Sequence, residues 1–271
     1  MGWREDIKFG IVRADRLFLG MENANLGQEV NIKALKALAG GRPFMYEDFS
    51  AIPLAQTFAE LRGAATGGDT DINVLDTGKM RFLDSMITAQ AISTPINTAL
   101  GLDVSGDQAD AAGRELTIAN AATFPNMATV GTTEAFYASM KFSIATVATL
   151  AECAFGFRKA EAFAPAIDNY DDMAVLNVLA GDINIETIAD GAGTVTTDTT
   201  DNWANAETHT LRVDVNLDGV ATFQIDGAAP TVTAALTFTA GDILVPFFYM
   251  LQGTTPWSGA VVLQEFEYGL S

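Results

Sequence analysis

The sequence predicts a mainly β protein: an antiparallel β-sandwich preceded by an N-terminal arm with short helices. Three observations carry this. Between Thr208 and Gly227, Leu211, Val213, Val215 and Leu217 alternate with Arg212, Asp214 and Asn216, and Asp218-Gly219 turns the chain into Val220-Ala221-Thr222-Phe223-Gln224-Ile225. Period-two alternation on both sides of an Asp-Gly pair is a strong local hairpin signal. Short apolar runs separated by turn residues continue through the second half, as a sandwich requires. The first 62 residues follow a different period.

In that first stretch, Val30, Ile32, Leu35 and Leu38 fall near helical spacing before Gly40-Gly41, and Pro53, Leu54, Phe58 and Leu61 do so before Gly63. Each reads as a short helix with a glycine stop. Segments so short and thinly apolar do not make a core of their own. Residues 1–73 are therefore expected to be an arm and linker, a docking or oligomerisation element that buries Trp3, Phe9, Leu17, Phe18 and Leu19. The linker is 63–73, rich in Gly, Ala and Thr.

The sandwich domain is expected over 74–271, with strands at 75–83, 115–118, 135–145, 153–160, 174–179, 184–189, 208–217, 220–225, 244–251 and 260–268. Asp190-Gly191-Ala192-Gly193, Asp226-Gly227-Ala228-Ala229-Pro230 and Gly253-Thr254-Thr255-Pro256 supply turns between them. Residues 107–112 have the composition of one helical turn within a loop.

Composition narrows the function. With 49% apolar residues the chain can bury a sizeable core. Its formal charge is −19, and the excess is segregated: residues 1–62 carry eight basic and eight acidic side chains, residues 63–271 seven basic and 26 acidic. Beyond Lys159 the only basic side chain is Arg212. Such a surface repels nucleic-acid backbones and anionic membranes, so neither is an expected partner. No apolar run reaches the length of a membrane span and the N-terminus lacks a signal-type apolar core, so synthesis in the cytoplasm is expected. Cys153, near Phe155 and Phe157 in a strand-like run, reads as a small buried apolar residue.

The chemistry-bearing motifs are weak. Asp214-Val215-Asn216-Leu217-Asp218-Gly219 opens like a calcium loop, but its twelfth position is Ile225 where a bidentate Glu is needed, and the intervening residues alternate as strand. Asp168, Asp171 and Asp172, in Asp168-Asn169-Tyr170-Asp171-Asp172, read by themselves as a solvated acidic turn. Glu265-Phe266-Glu267 puts two carboxylates on one strand face, roughly 6–7 Å apart by strand rise, the arrangement of a glycosidase pair or of an ordinary solvent face. His209 is the only histidine, and no nucleophile or zinc set assembles around it. Gly191 and Gly193 open no helix and make no phosphate cradle. Trp203 and Trp257 lie in predicted loops, where they could stack on a sugar ring or anchor a loop or contact. No catalytic set emerges, so a non-enzyme is expected.

The order Phe136-Tyr137-Ala138-Ser139-Met140-Lys141-Phe142, Phe155-Gly156-Phe157-Arg158-Lys159, Asp218-Gly219-Val220 and Phe223-Gln224-Ile225-Asp226-Gly227 resembles the concanavalin A-like (laminin-G-like) jelly roll over about residues 130–271. Calcium sites in that fold are built from loops, which is what singles out Asp168, Asp171 and Asp172. In layout, a small-residue-rich acidic jelly roll behind a short arm also looks like structural proteins of tailed bacteriophages, especially head decoration or cement proteins. That resemblance implies a virion structural protein on the capsid surface that binds the major capsid protein lattice or another virion protein and stabilises the head. It also implies a homo-oligomer, dimer or trimer, with no cofactor. The alternative is a carbohydrate-binding, lectin-like module, on a phage tail or fibre, using Trp203, Trp257 and calcium through Asp171 and Asp172.

Overall fold

The computed structural model describes residues 44–51, 70–77, 81–87, 95–105, 113–119, 127–148, 150–252 and 259–271. Their strands form two antiparallel sheets. The first holds β1 (Phe44–Asp48), β4 (Ile96–Thr98), β5 (Gly101–Asp103), β8 (Phe136–Ile144), β13 (Thr208–Val215), β14 (Val220–Ile225), β15 (Leu236–Thr237) and β17 (Val261–Leu270). Its order is β15-β14-β13-β8-β17-β5-β4, with β1 also on β17. The second holds β2 (Thr70–Asp76), β3 (Arg81–Ile87), β6 (Gly113–Thr117), β7 (Ala128–Thr129), β9 (Leu150–Lys159), β10 (Met173–Leu179), β11 (Asp182–Ile188), β12 (Val195–Asn202) and β16 (Ile243–Gln252). Its order is β12-β11-β10-β9-β16-β6-β3-β2, with β7 also on β16.

Alternation places one row from each strand between the sheets. Phe136, Ala138, Met140, Phe142 and Ile144 of β8 meet Cys153, Phe155 and Phe157 of β9 there, with Leu211, Val213 and Val215 of β13 and Leu176 and Val178 of β10. On β17 the register shifts between Leu263 and Glu265. This bulge lets Leu263 and Phe266 both face inward although three positions apart. Glu265 and Glu267 therefore share the outer face, as the sequence predicts, where Glu265 pairs with Lys141 at 3.2 Å and Glu267 accepts from the Tyr137 hydroxyl at 3.5 Å.

The hairpin forms in the expected register, Leu211 opposite Ile225 and Val215 opposite Ala221. Leu217 departs from expectation: it lies beyond the end of β13 in the turn, 53% exposed. Gly219 has φ +82, and a Cβ there would stand 2.6 Å from the Phe238 carbonyl oxygen, so the turn requires glycine.

The single strand expected at 75–83 is a hairpin instead. β2 and β3 pair antiparallel with Leu75 opposite Phe82, both in the core; the Asp76-Thr77-Gly78 turn chemistry interrupts the apolar run. Segments assigned to the arm and linker also stand in the sheets. Tyr46, on β1, donates to Glu265 of β17 at 3.4 Å, Glu47 accepts from Thr77 at 2.5 Å, and Phe49 packs on Phe82 with ring centroids 5.6 Å apart. Met45–Ser271 is one compact unit. The helices expected around 30–38 and 53–61, the turn at 107–112, and Trp3, Phe9, Leu17, Phe18, Leu19 and Trp257 lie outside the described residues.

β12 has no counterpart in the sequence reading. It is a mostly exposed edge strand of Thr and Asp, so no apolar alternation announces it. Thr231 and Val232 cover part of its open edge, Val232 N–H donating to the Thr199 carbonyl at 3.0 Å and Thr231 N–H to Asp201 at 2.9 Å.

Candidate functional site

The outer face of the second sheet carries the most unusual chemistry. Between β9 and β10, residues 160–172 fold back over this face as a strap. Ala164, Ile167 and Tyr170 of the strap bury Ala154, Met173, Val175, Ile188, Phe247 and Tyr249 in a second apolar cluster. A buried ionic centre fixes it. Arg158 Nε and Nη2 donate to the Glu115 carboxylate at 2.8 and 2.7 Å, with both side chains fully buried. The remaining guanidinium donor reaches the Lys159 and Glu161 carbonyls at 2.8 and 3.1 Å. Tyr170 donates its hydroxyl to Glu115 at 2.6 Å, accepts from Ala164 N–H at 3.2 Å, and lies under the guanidinium, 4.6 Å from carbon to ring centroid. Tyr249 donates to the Pro165 carbonyl at 2.6 Å. Burial pushes both phenols well above their ordinary range.

Next to the strap, Glu152 of β9, Asn177 of β10 and Glu186 of β11 come together with Asp168. The Asn177 amide donates to Glu186 Oε2 at 2.8 Å, and its carbonyl oxygen accepts from Cys153 N–H at 3.1 Å. Thr196 donates to Glu186 Oε1 at 3.3 Å. Asp168 is placed by Thr194, whose hydroxyl donates to it at 2.7 Å. Glu152 differs from the others: its Oε2 is buried without a hydrogen-bond partner. Burial, then repulsion from Glu186 and Asp168, pushes its carboxyl up to about 7. Burial also raises Glu186, against the opposing pull of the Asn177 hydrogen bond. Near neutral pH Glu152 therefore exists as both acid and carboxylate, with an oxygen available to donate or accept.

The calcium candidates do not converge on a metal site. Asp171 and Asp172 turn to Lys159, at 2.6 and 3.3 Å, and Asp242 joins them at 3.8 Å. Asp172 also accepts from Asp190 N–H at 2.9 Å, while Asp168 is engaged with Thr194. An ammonium occupies the position a cation would take, and among the described residues no group of three ligating side chains could hold a metal. Trp203 is not available to a sugar: it is 1% exposed, packed on Phe142 with centroids 4.7 Å apart, its indole N–H donating to the Glu207 carbonyl at 3.3 Å. Cys153 is buried, as expected, and burial raises its thiol.

The residues that do gather were not singled out in the sequence, although a signal exists. Asn177 interrupts Met-Ala-Val-Leu-Asn-Val-Leu and Glu186 interrupts Asp-Ile-Asn-Ile-Glu-Thr-Ile. A polar residue inside a strand that is apolar on both faces must find a buried partner.

Every basic side chain whose placement is described is matched to a carboxylate: Arg114 to Asp84, Lys141 to Glu265, Arg158 to Glu115, Lys159 to Asp171, and Arg212 to Asp214.

No protein family matches the sequence, and no curated protein matches it. Solved structures do. The carbohydrate recognition domain of Emp47p is 12% identical with a TM-score of 0.45, over 78% of this chain and 93% of that one. A protein of unknown function from Shewanella oneidensis MR-1 is 11% identical with a TM-score of 0.48, over 84% and 86%. The β-glucanase of Bacillus licheniformis is 12% identical with a TM-score of 0.42, over 84% and 98%.

Proposed function

We propose that this chain is a non-catalytic carbohydrate-binding β-sandwich whose site is the Glu152–Asn177–Glu186 group beside the strap. The observation that carries the reading is the buried, unpartnered oxygen of Glu152. A sugar hydroxyl both donates and accepts, so it satisfies that oxygen in either protonation state. Three carboxyl groups on one patch disfavour an anionic ligand, and the absence of a three-ligand cluster among the described residues disfavours a metal. Glu186 is committed to Asn177 and Thr196, which leaves Glu152 without an arranged carboxylate partner for glycoside hydrolysis.

A glycan array on the full chain, with and without chelator, tests this. Binding to one glycan class that survives chelation and is lost in Glu152→Ala supports the site; binding that Glu152→Ala leaves intact rules the site out.

Charge segregation favours a second reading, a virion decoration protein. A charge-neutral stretch of 62 residues precedes a body with 26 acidic and seven basic side chains. Such a stretch, with Trp3, Phe9, Leu17, Phe18 and Leu19, suits docking on a capsid lattice as a homo-oligomer while the acidic body faces solvent. Co-sedimentation with particles that persists after deletion of residues 1–43, which leaves β1 and Phe49 in place, would refute it.

A further inference from the structure

We propose that His209 is a protonation-operated clasp that holds the 203–207 loop and the turn after β14 together over Trp203. The ring lies between two carboxylates from different elements. Its Nδ1 is 2.6 Å from Asp226 Oδ2 and its Nε2 is 3.1 Å from Glu207 Oε2. Edge-on, it contacts the Trp203 indole, with centroids 4.6 Å apart at 70°. β8 contributes no charge at this register, since Phe142 stands opposite His209.

Both carboxylates are tied into the backbone they fasten. Asp226, at φ +52, accepts Thr210 N–H through Oδ1 at 2.8 Å. Glu207 accepts Ala204 N–H through Oε2 at 2.8 Å, and its carbonyl holds the Trp203 indole. An imidazolium donates from both nitrogens and satisfies both carboxylates at once; a neutral ring donates from only one. Loss of the proton leaves one carboxylate facing a lone pair, and two negative charges with no cation between them.

Burial favours the neutral ring, but the hydrogen bonds it donates to Asp226 and Glu207 outweigh this and hold the imidazole above its ordinary range. The sign follows: the clasp contributes fully below the ordinary histidine value and is lost as pH rises through the elevated one.

Because His209 is the only histidine, its ring carbon–proton signal in an NMR titration of the full chain is unambiguous. The expected result is a midpoint above that of free histidine, with the Trp203 indole N–H and Thr210 amide signals moving at the same midpoint. Asp226→Asn should lower the midpoint, and His209→Gln should flatten the indole response across the same range. A midpoint at or below that of free histidine, or an indole signal that does not move with the ring, would overturn the proposal. If Asp226→Asn fails to fold, the His209→Gln comparison decides it.

Discussion

Arg114 and Glu115 are consecutive on β6 and fully buried, yet they serve opposite faces of the sheet. Arg114 points between the sheets, donating to Asp84 at 2.8 and 2.7 Å and to the Val104 carbonyl, next to β5 of the other sheet, at 2.6 Å. Glu115 points outward to Arg158 and Tyr170. One polar strand thus pins the two sheets together on one side and the strap on the other.

Removing one partner of such a pair should cost far more than removing both. Glu115→Leu leaves Arg158 buried without its carboxylate and should destabilise the chain by about 3–5 kcal/mol, whereas Glu115→Leu with Arg158→Met should lose less than either single change. Urea midpoints of the three variants measure this. A double variant as unstable as the sum of the singles would mean that the strap, not charge burial, sets the cost.

Glu152 gives a pH dependence of definite sign. Its carboxyl is raised to about 7 in the folded chain from 4.5, so its ionisation destabilises the fold: stability is full below about 4.5 and declines as pH rises to about 7. Glu152→Gln removes the charge while keeping the shape. It should match the parent near pH 4 and exceed it by about 1–3 kcal/mol at pH 8, read from denaturant midpoints at the two pH values.

Gly113 tests the seat of the strap. A Cβ at this position would lie 2.2 Å from the Tyr249 hydroxyl and 2.6 Å from the Pro165 carbonyl oxygen, the two atoms of the hydrogen bond that holds the strap tip. Gly113→Ala should therefore cost about 1–3 kcal/mol. Adding Tyr249→Phe should recover part of that loss by removing the closer atom. Thermal melts of the single and double variants are sufficient.

The same strand marks the boundary of what the sequence reveals. Leu211, Val213, Phe223 and the β8 row show their face by alternation alone, because one side meets core and the other meets water. Gly-Arg-Glu-Leu-Thr on β6 is buried throughout and carries no such contrast, so its charges look like surface until Asp84 and Arg158 arrive from positions 30 and 43 residues away. β12 fails for the opposite reason: it is paired on one side only and mostly exposed, so nothing apolar marks it. The candidate site shares the first difficulty, since β10 and β11 are buried on both faces. Glu152, Asn177 and Glu186 belong to three strands, and their meeting depends on pairing register, which no local pattern encodes. Asp168, Asp171 and Asp172 are calcium candidates because the resembling fold builds its calcium sites from loops, and the structure distributes them between Thr194 and Lys159.

Trp203 separates a core role from a binding role. The ring is buried against Phe142 and His209, so Trp203→Ala should cost about 3–5 kcal/mol, while Trp203→Phe keeps much of the contact with Phe142 and should lose less. Glycan affinity per folded molecule should be unchanged in Trp203→Phe, because the indole lies between the sheets and the Glu152 group on the outer face of the second. Melting temperatures and array binding, measured on the same preparations, distinguish the roles: reduced affinity at unchanged stability would place Trp203 in the ligand site, and reduced stability at unchanged affinity would place it in the core.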